Sequence, residues 1–258
     1  MIARRIIAIA GQTLTEARRN RVFYSIFLFA LIVILNSYIF TEVTITTMDR
    51  VLKDTGIAAI SIFALALTVF TGVGVINREV DRRNLYVVLS KPLARYEFIV
   101  GKFLGLLAIM LSTCGVMLVC LLLVLIGYKT PIHSSTFVAF YGIFLEVSIL
   151  GAFAVLCSSF TSSFISAFMC VALFVSGHLS GEMRFAANKV TATAWFKVIG
   201  NGLYYLLPNL ERFNFKYQLT YDVLVPGPTL VAISGYAFCY VAAFLTASVV
   251  IFSQRDFR

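Results

Sequence analysis

The chain has 258 residues, 60% of them hydrophobic and only 13% charged, with a formal net charge of +9. Soluble domains are about a quarter charged, so a mean hydropathy of +0.93 marks a membrane protein before any motif is read. No polar segment is long enough to build a core of its own. The basic residues flank apolar runs, which makes them topology determinants and headgroup contacts and argues against a nucleic-acid surface.

In chain order, residues 2–19 predict an amphipathic helix. Ile2, Ile6, Ile9, Thr13 and Ala17 recur at helical spacing, while Arg4, Arg5, Gln12, Arg18 and Arg19 are polar. Such a helix is expected to lie in the membrane interface. The short patch after Arg4 and Arg5 lacks the apolar core and cleavage site of a signal peptide. Six apolar runs follow, at 22–41, 56–76, 102–127, 135–157, 164–181 and 229–252. Each is near the ~20 residues that cross a bilayer as a helix. The whole chain reads as a single all-α transmembrane domain.

Charge orients it. Arg4, Arg5, Arg18, Arg19 and Arg21 precede the first run, and Arg78, Arg82, Arg83, Lys91, Arg95 and Lys102 fill the 77–102 region. The loop after the first run has only Arg50 and Lys53, and the loop after the third only Lys129. This asymmetry places both termini and the 77–101 loop in the cytoplasm. Segment 182–228 then falls outside, despite its own Lys and Arg residues. It is crowded with Trp195, Phe196, Tyr204, Tyr205, Phe213, Phe215, Tyr217 and Tyr221, plus Pro208, Pro226 and Pro228. Aromatics favour the membrane boundary, so short helices on or dipping into the outer leaflet are expected.

Catalytic chemistry is sparse. No phosphate-binding G-x-x-x-x-G-K-[ST] loop, H-E-x-x-H or G-x-S-x-G occurs. The five cysteines all lie in apolar runs without C-x-x-C spacing and read as small buried hydrophobes. His133 and His178 have no Cys or His at ligand spacing, so no metal site is expected. Glu146 stands alone among the acids, mid-run in "YGIFLEVSILGAF". A charge at the bilayer centre costs roughly 2.5–3.5 kcal/mol, so Glu146 should face protein or water. It either lines a substrate path or makes an interhelical polar contact, the expected partner being a Ser or Tyr. "GKFLG", Gly101 to Gly105, and "SSFTSSFISAF", Ser158 to Phe168, read as close helix-packing signals.

The stretch Asn77–Lys102, "NREVDRRNLYVVLSKPLARYEFIVGK", is too charged to span and too apolar for an idle linker. It resembles the cytoplasmic loop between the second and third spans of ABC type-2 permeases. Glu79, Leu85, Leu89, Ser90, Pro92, Arg95 and Lys102 fall in register with that pattern, and Ala94 stands where Ser is commoner. "IIAIAGQTLTEARRNRVF" is similar to the family's connecting elbow helix. "YYLLPNLERFN" and "FSQRDF" resemble the branch that contains gliding-associated and copper-linked NosY permeases.

The resemblance implies an ABC type-2 exporter fold in the bacterial inner membrane, working as a homodimer or with a related permease. It implies two copies of a separate ATPase subunit that bind ATP and Mg, with no cofactor and no catalytic role in this chain. It also implies that the 77–101 loop supplies a coupling helix through Glu79, Leu85, Leu89, Ser90, Pro92, Arg95, Tyr96 and Lys102. Physical chemistry adds that Pro92 restricts the backbone before the third run, and that Lys102 is expected to reach to headgroups. Two rival readings stand beside this one. The first is an ATP-driven scaffold or assembly factor that relays motion to periplasmic partners. The second is an intramembrane enzyme or ion-coupled carrier, for which Glu146 alone argues. The apolar spans suit a lipid-like cargo. The dispersed Met, Cys and His residues give no ground for a metal cargo.

Overall fold

The computed structural model describes residues 2–18, 28, 29, 32, 48–74, 95–187, 202 and 207–254. Within them lie seven α-helices: α1 (Ile2–Arg18), α2 (Met48–Gly72), α3 (Arg95–Gly127), α4 (Ser134–Phe160), α5 (Ser163–Ala187), α6 (Lys216–Thr220) and α7 (Gly227–Gln254). A short 3-10 turn, Leu210–Phe213, precedes α6. Five of the helices, α2, α3, α4, α5 and α7, are long and apolar enough to cross a membrane. The expected first span, 22–41, lies outside the described residues except for Leu28, Phe29 and Ile32. Phe29 is fully buried and packs edge-on against Phe63 of α2, with ring centroids 5.8 Å apart.

The five helices coincide with five of the six predicted runs, with two differences at their starts. Helix α2 begins at Met48, so Arg50 and Lys53, expected in a loop, stand in its first turns. Helix α3 begins at Arg95 and runs for 33 residues, so the stretch from Arg95 to Lys102 is helix rather than the end of a loop. No proline lies between Arg95 and Lys102, and the propensity cost of Gly101, about 1 kcal/mol, is offset because the apolar members of the stretch have something to pack on.

The helix ends follow from local chemistry. Lys129 adopts a left-handed φ of 56° after α3, the Thr130 N–H closes back on the Leu125 carbonyl at 2.9 Å, and Pro131 cannot extend the helix. Helices α4 and α5 are joined only by Thr161 and Ser162. The Thr161 N–H donates to the Cys157 carbonyl, and the Thr161 and Ser166 hydroxyls meet at 2.7 Å. The hydroxyl-rich stretch therefore serves as a tight hairpin turn as well as a packing surface. Pro228 enters α7 in its first turn, where its missing N–H costs nothing.

Helix α4 is central and mostly buried, whereas most of α7 is left exposed. Cross-contacts set the directions. Gly56, Thr68 and Gly72 of α2 face Leu121, Met110 and Leu106 of α3, so these two run antiparallel, while Tyr141 and Phe153 of α4 meet Ser234 and Phe244 of α7 in parallel. One end of the bundle, the near end, gathers α1, the start of α3, the α4–α5 turn and the end of α7. The other, the far end, gathers the starts of α2, α4 and α7.

Candidate functional site

At the near end, α1 lies along the first turns of α3. A Cβ on Gly101 would sit 2.9 Å from Ile9 Cβ, and one on Gly105 would sit 2.6 Å from Thr13 Cβ and 2.9 Å from the Ala10 carbonyl. The G-x-x-x-G spacing is thus a groove that admits the α1 backbone, the close approach that small residues permit. Ile9 and Thr13, members of the expected apolar stripe, are spent on this groove, while Ile7 is 69% exposed on the other side. On its other flank α3 meets the end of α7, where Phe98 stacks on Phe252 at 5.8 Å.

This packing redistributes the predicted coupling residues. Glu79, Leu85, Leu89, Ser90 and Pro92 lie outside the described residues. Arg95 opens α3, and Tyr96 projects outward, 44% exposed. Lys102 does not extend to headgroups as expected: it is 3% exposed, with its ammonium 5.8 Å from the Phe98 ring. Glu97 is likewise buried. The reason is that this part of the chain is helix in contact with neighbours, so residues on the inner face are covered whatever their charge.

At the far end, residues 207–222 turn into the bundle. Leu210, Phe213, Phe215 and Leu219 are buried, whereas Tyr217 and Tyr221 remain exposed. Glycines make the seat: a Cβ on Gly177 would meet Leu210 Cγ at 2.6 Å, and one on Gly142 would collide with the Phe213 carbonyl. A polar latch holds the segment. Asp222, at a left-handed φ of 51° that Asp tolerates, accepts from Lys53 Nζ at 3.2 Å and from the Ser135 hydroxyl at 3.0 Å. His133 Nδ1 lies 3.3 Å away. Partial burial pushes the Asp222 carboxyl up, but the hydrogen bonds from Lys53 and Ser135 and the charges of Lys53 and His133 outweigh it. The carboxyl is held below its ordinary range. Beside the latch, Thr130 donates to Asp49 at 3.0 Å and the Arg50 guanidinium lies over the Tyr221 ring.

Midway along α4, Glu146 is 4% exposed, and its partner is neither Ser nor Tyr. His178 of α5 places Nε2 3.7 Å from Glu146 Oε1. The two residues stand about four turns from the α4–α5 hairpin turn, one on each arm, so they share a level. That equal spacing was the available signal: reading runs four and five as a tight hairpin would have paired them. Cys157 and Cys170 are also brought together across the hairpin, while Cys239 faces outward. Among the described residues, no three His, Cys, Asp or Glu side chains gather as a metal site.

Residues 7–257 match the family described as "ABC-2 family transporter protein". The chain belongs to that family. It is a multi-pass membrane permease of the ABC transporter class, and membership implies a partner ABC ATPase subunit. Comparison with curated proteins gives no match.

Proposed function

We propose that this ABC-2 permease is the membrane-spanning subunit of an exporter in the bacterial inner membrane. It works as a homodimer with two separate ATPase subunits, which bind ATP and Mg, and the chain itself is not a catalyst. Residues 22–41 supply a sixth crossing, α1 is the elbow helix, and both termini face the cytoplasm. The family match over nearly the whole chain is the observation that carries this reading.

The near-end packing supports a coupling role for residues 77–102. That segment joins α2 to α3, and the first turns of α3 are fixed against α1 through Gly101 and Gly105 and against α7 through Phe98 and Phe252. A push delivered there by a closing ATPase would move α3 with α1 as one body rather than fray its first turns. Tyr96, exposed on this end, joins Glu79, Leu85, Leu89, Ser90, Pro92 and Arg95 as the docking surface, with Lys102 setting the helix from inside. Glu146 acts as an interhelical polar contact through His178.

The test is capture. The tagged permease, purified in mild detergent, is expected to bring down the ATPase encoded beside it. Arg95→Glu or Glu79→Lys should lower that yield while the permease dimer stays intact. A wild-type chain that never retains an ATPase overturns the reading.

A further inference from the structure

The contact between Glu146 and His178 has a constraint built into it. His178 Nδ1 lies 3.2 Å from the Phe174 carbonyl oxygen, one turn earlier in α5. A carbonyl only accepts, so Nδ1 carries a hydrogen. In a neutral imidazole Nε2 is then bare, and Nε2 is the nitrogen that faces Glu146 Oε1. Among the described residues Oε1 makes no hydrogen bond. Without a proton between them, a carboxylate and an imidazole lone pair would confront each other in the interior of the bundle. One proton removes the conflict from either side: a carboxyl O–H donates to Nε2, or an imidazolium N–H donates to the carboxylate. Closing the gap to hydrogen-bond length takes a shift of under ~1 Å.

The surroundings connect this pair to the far end. Gly142, one turn from Glu146 on the same face, receives the Phe213 carbonyl, and Gly177, next to His178, receives Leu210 and the Pro208 carbonyl. The inserted segment therefore sits over the pair on its far-end side. Among the described residues, two charges of that segment act on Glu146: Lys216 of α6 attracts and Glu211 of the 3-10 turn repels. Leu210 and Phe213 of the segment join Ile149, Leu150 and Leu173 in an apolar cluster, to which α7 adds the titratable Tyr236 and Tyr240, with the Arg212 guanidinium 5.1 Å from the Tyr236 ring. From α2 the cluster receives the apolar Leu65.

We propose that Glu146 and His178 form a binding site for one proton, covered by segment 207–220, so that seating of this segment is proton-linked. When the proton is bound the pair is neutral. When it leaves for the far-end solution, the pair carries one negative charge and draws Lys216 inward. Occupancy and seating then affect each other reciprocally. This stands apart from the coupling reading, and failure to capture an ATPase would leave it untouched.

Infrared difference spectroscopy of the full chain in lipid nanodiscs, titrated across neutral pH, tests it. The expected result is a single protonated-carboxyl or imidazolium signal that disappears in Glu146→Gln. In His178→Gln, a variant that keeps the carboxyl, the signal is expected to move. After transfer to heavy water it should exchange about tenfold faster in Gly177→Leu, which unseats the segment, than in the native chain. An ionised carboxylate beside a neutral imidazole at neutral pH, or a signal indifferent to Glu146→Gln, overturns the proton site. Exchange at the native rate in Gly177→Leu overturns its cover.

Discussion

Both ends of this permease seat a segment on glycines, Gly142 and Gly177 at the far end and Gly101 and Gly105 at the near end, and they differ in what is added to that seat. At the far end a polar latch, Asp222 with Lys53, Ser135 and His133, fastens an inserted segment to α2 and α4. At the near end glycines of α3 admit α1, Phe98 stacks on Phe252, and Glu97 and Lys102 are buried beside them. A latch made of charge can be released and re-formed by a change in charge or water, whereas a glycine groove has one seat and tolerates little extra volume. That difference would suit the coupling role proposed above for the near end.

The far end should break hardest when the latch loses its anion. Asp222→Asn leaves the ammonium of Lys53, 3% exposed, without its counter-charge, and should cost about 3 kcal/mol. Thermal unfolding of the purified chain in detergent measures this. The pH dependence has a definite sign. Because the folded Asp222 carboxyl is held below its ordinary value, its contribution is present above about pH 4 and fades as pH falls through the depressed value. The gap between native and Asp222→Asn stabilities should therefore shrink in acid as the carboxyl is protonated.

The near end should yield next, and to volume rather than charge. Gly105→Leu forces a side chain into the Thr13 and Ala10 contact and should cost about 2 kcal/mol. Cysteine cross-linking between positions 9 and 101 should fall with it. A Gly105→Leu chain that cross-links at the native yield would show that the groove is not the seat.

Lys53→Met should cost less than Asp222→Asn, about 1 kcal/mol. The carboxylate it strands is about a third exposed and keeps Ser135. Equal losses for the two substitutions would mean that the latch is not asymmetric. Smallest of all, Tyr96→Ala at the exposed near-end surface should change stability by no more than ~0.5 kcal/mol while lowering retention of the ATPase. A large stability loss there would move Tyr96 from the docking surface into the fold.

Much of this was legible in the chain. The positions of five spans, the amphipathic α1, the aromatic segment before the last span and the family pattern of Asn77–Lys102 are local properties. Apolar length and helical spacing are written along the sequence and need no partner to be recognised. The fate of Lys102 was not legible, because its charge predicts water while its place on the inner face of α3 decides burial.

The sequence by itself determined that this is a multi-pass helical membrane protein of the ABC-2 family, and that Glu146 would need company inside the bundle. Only the tertiary structure decided who keeps that company. His178 is 32 positions away and reaches Glu146 because a two-residue turn folds α4 and α5 into a hairpin of matched register. The latch is the same kind of fact. Lys53 and Asp222 are separated by 169 positions, and no local pattern marks two opposite charges as partners until packing has brought their helices together.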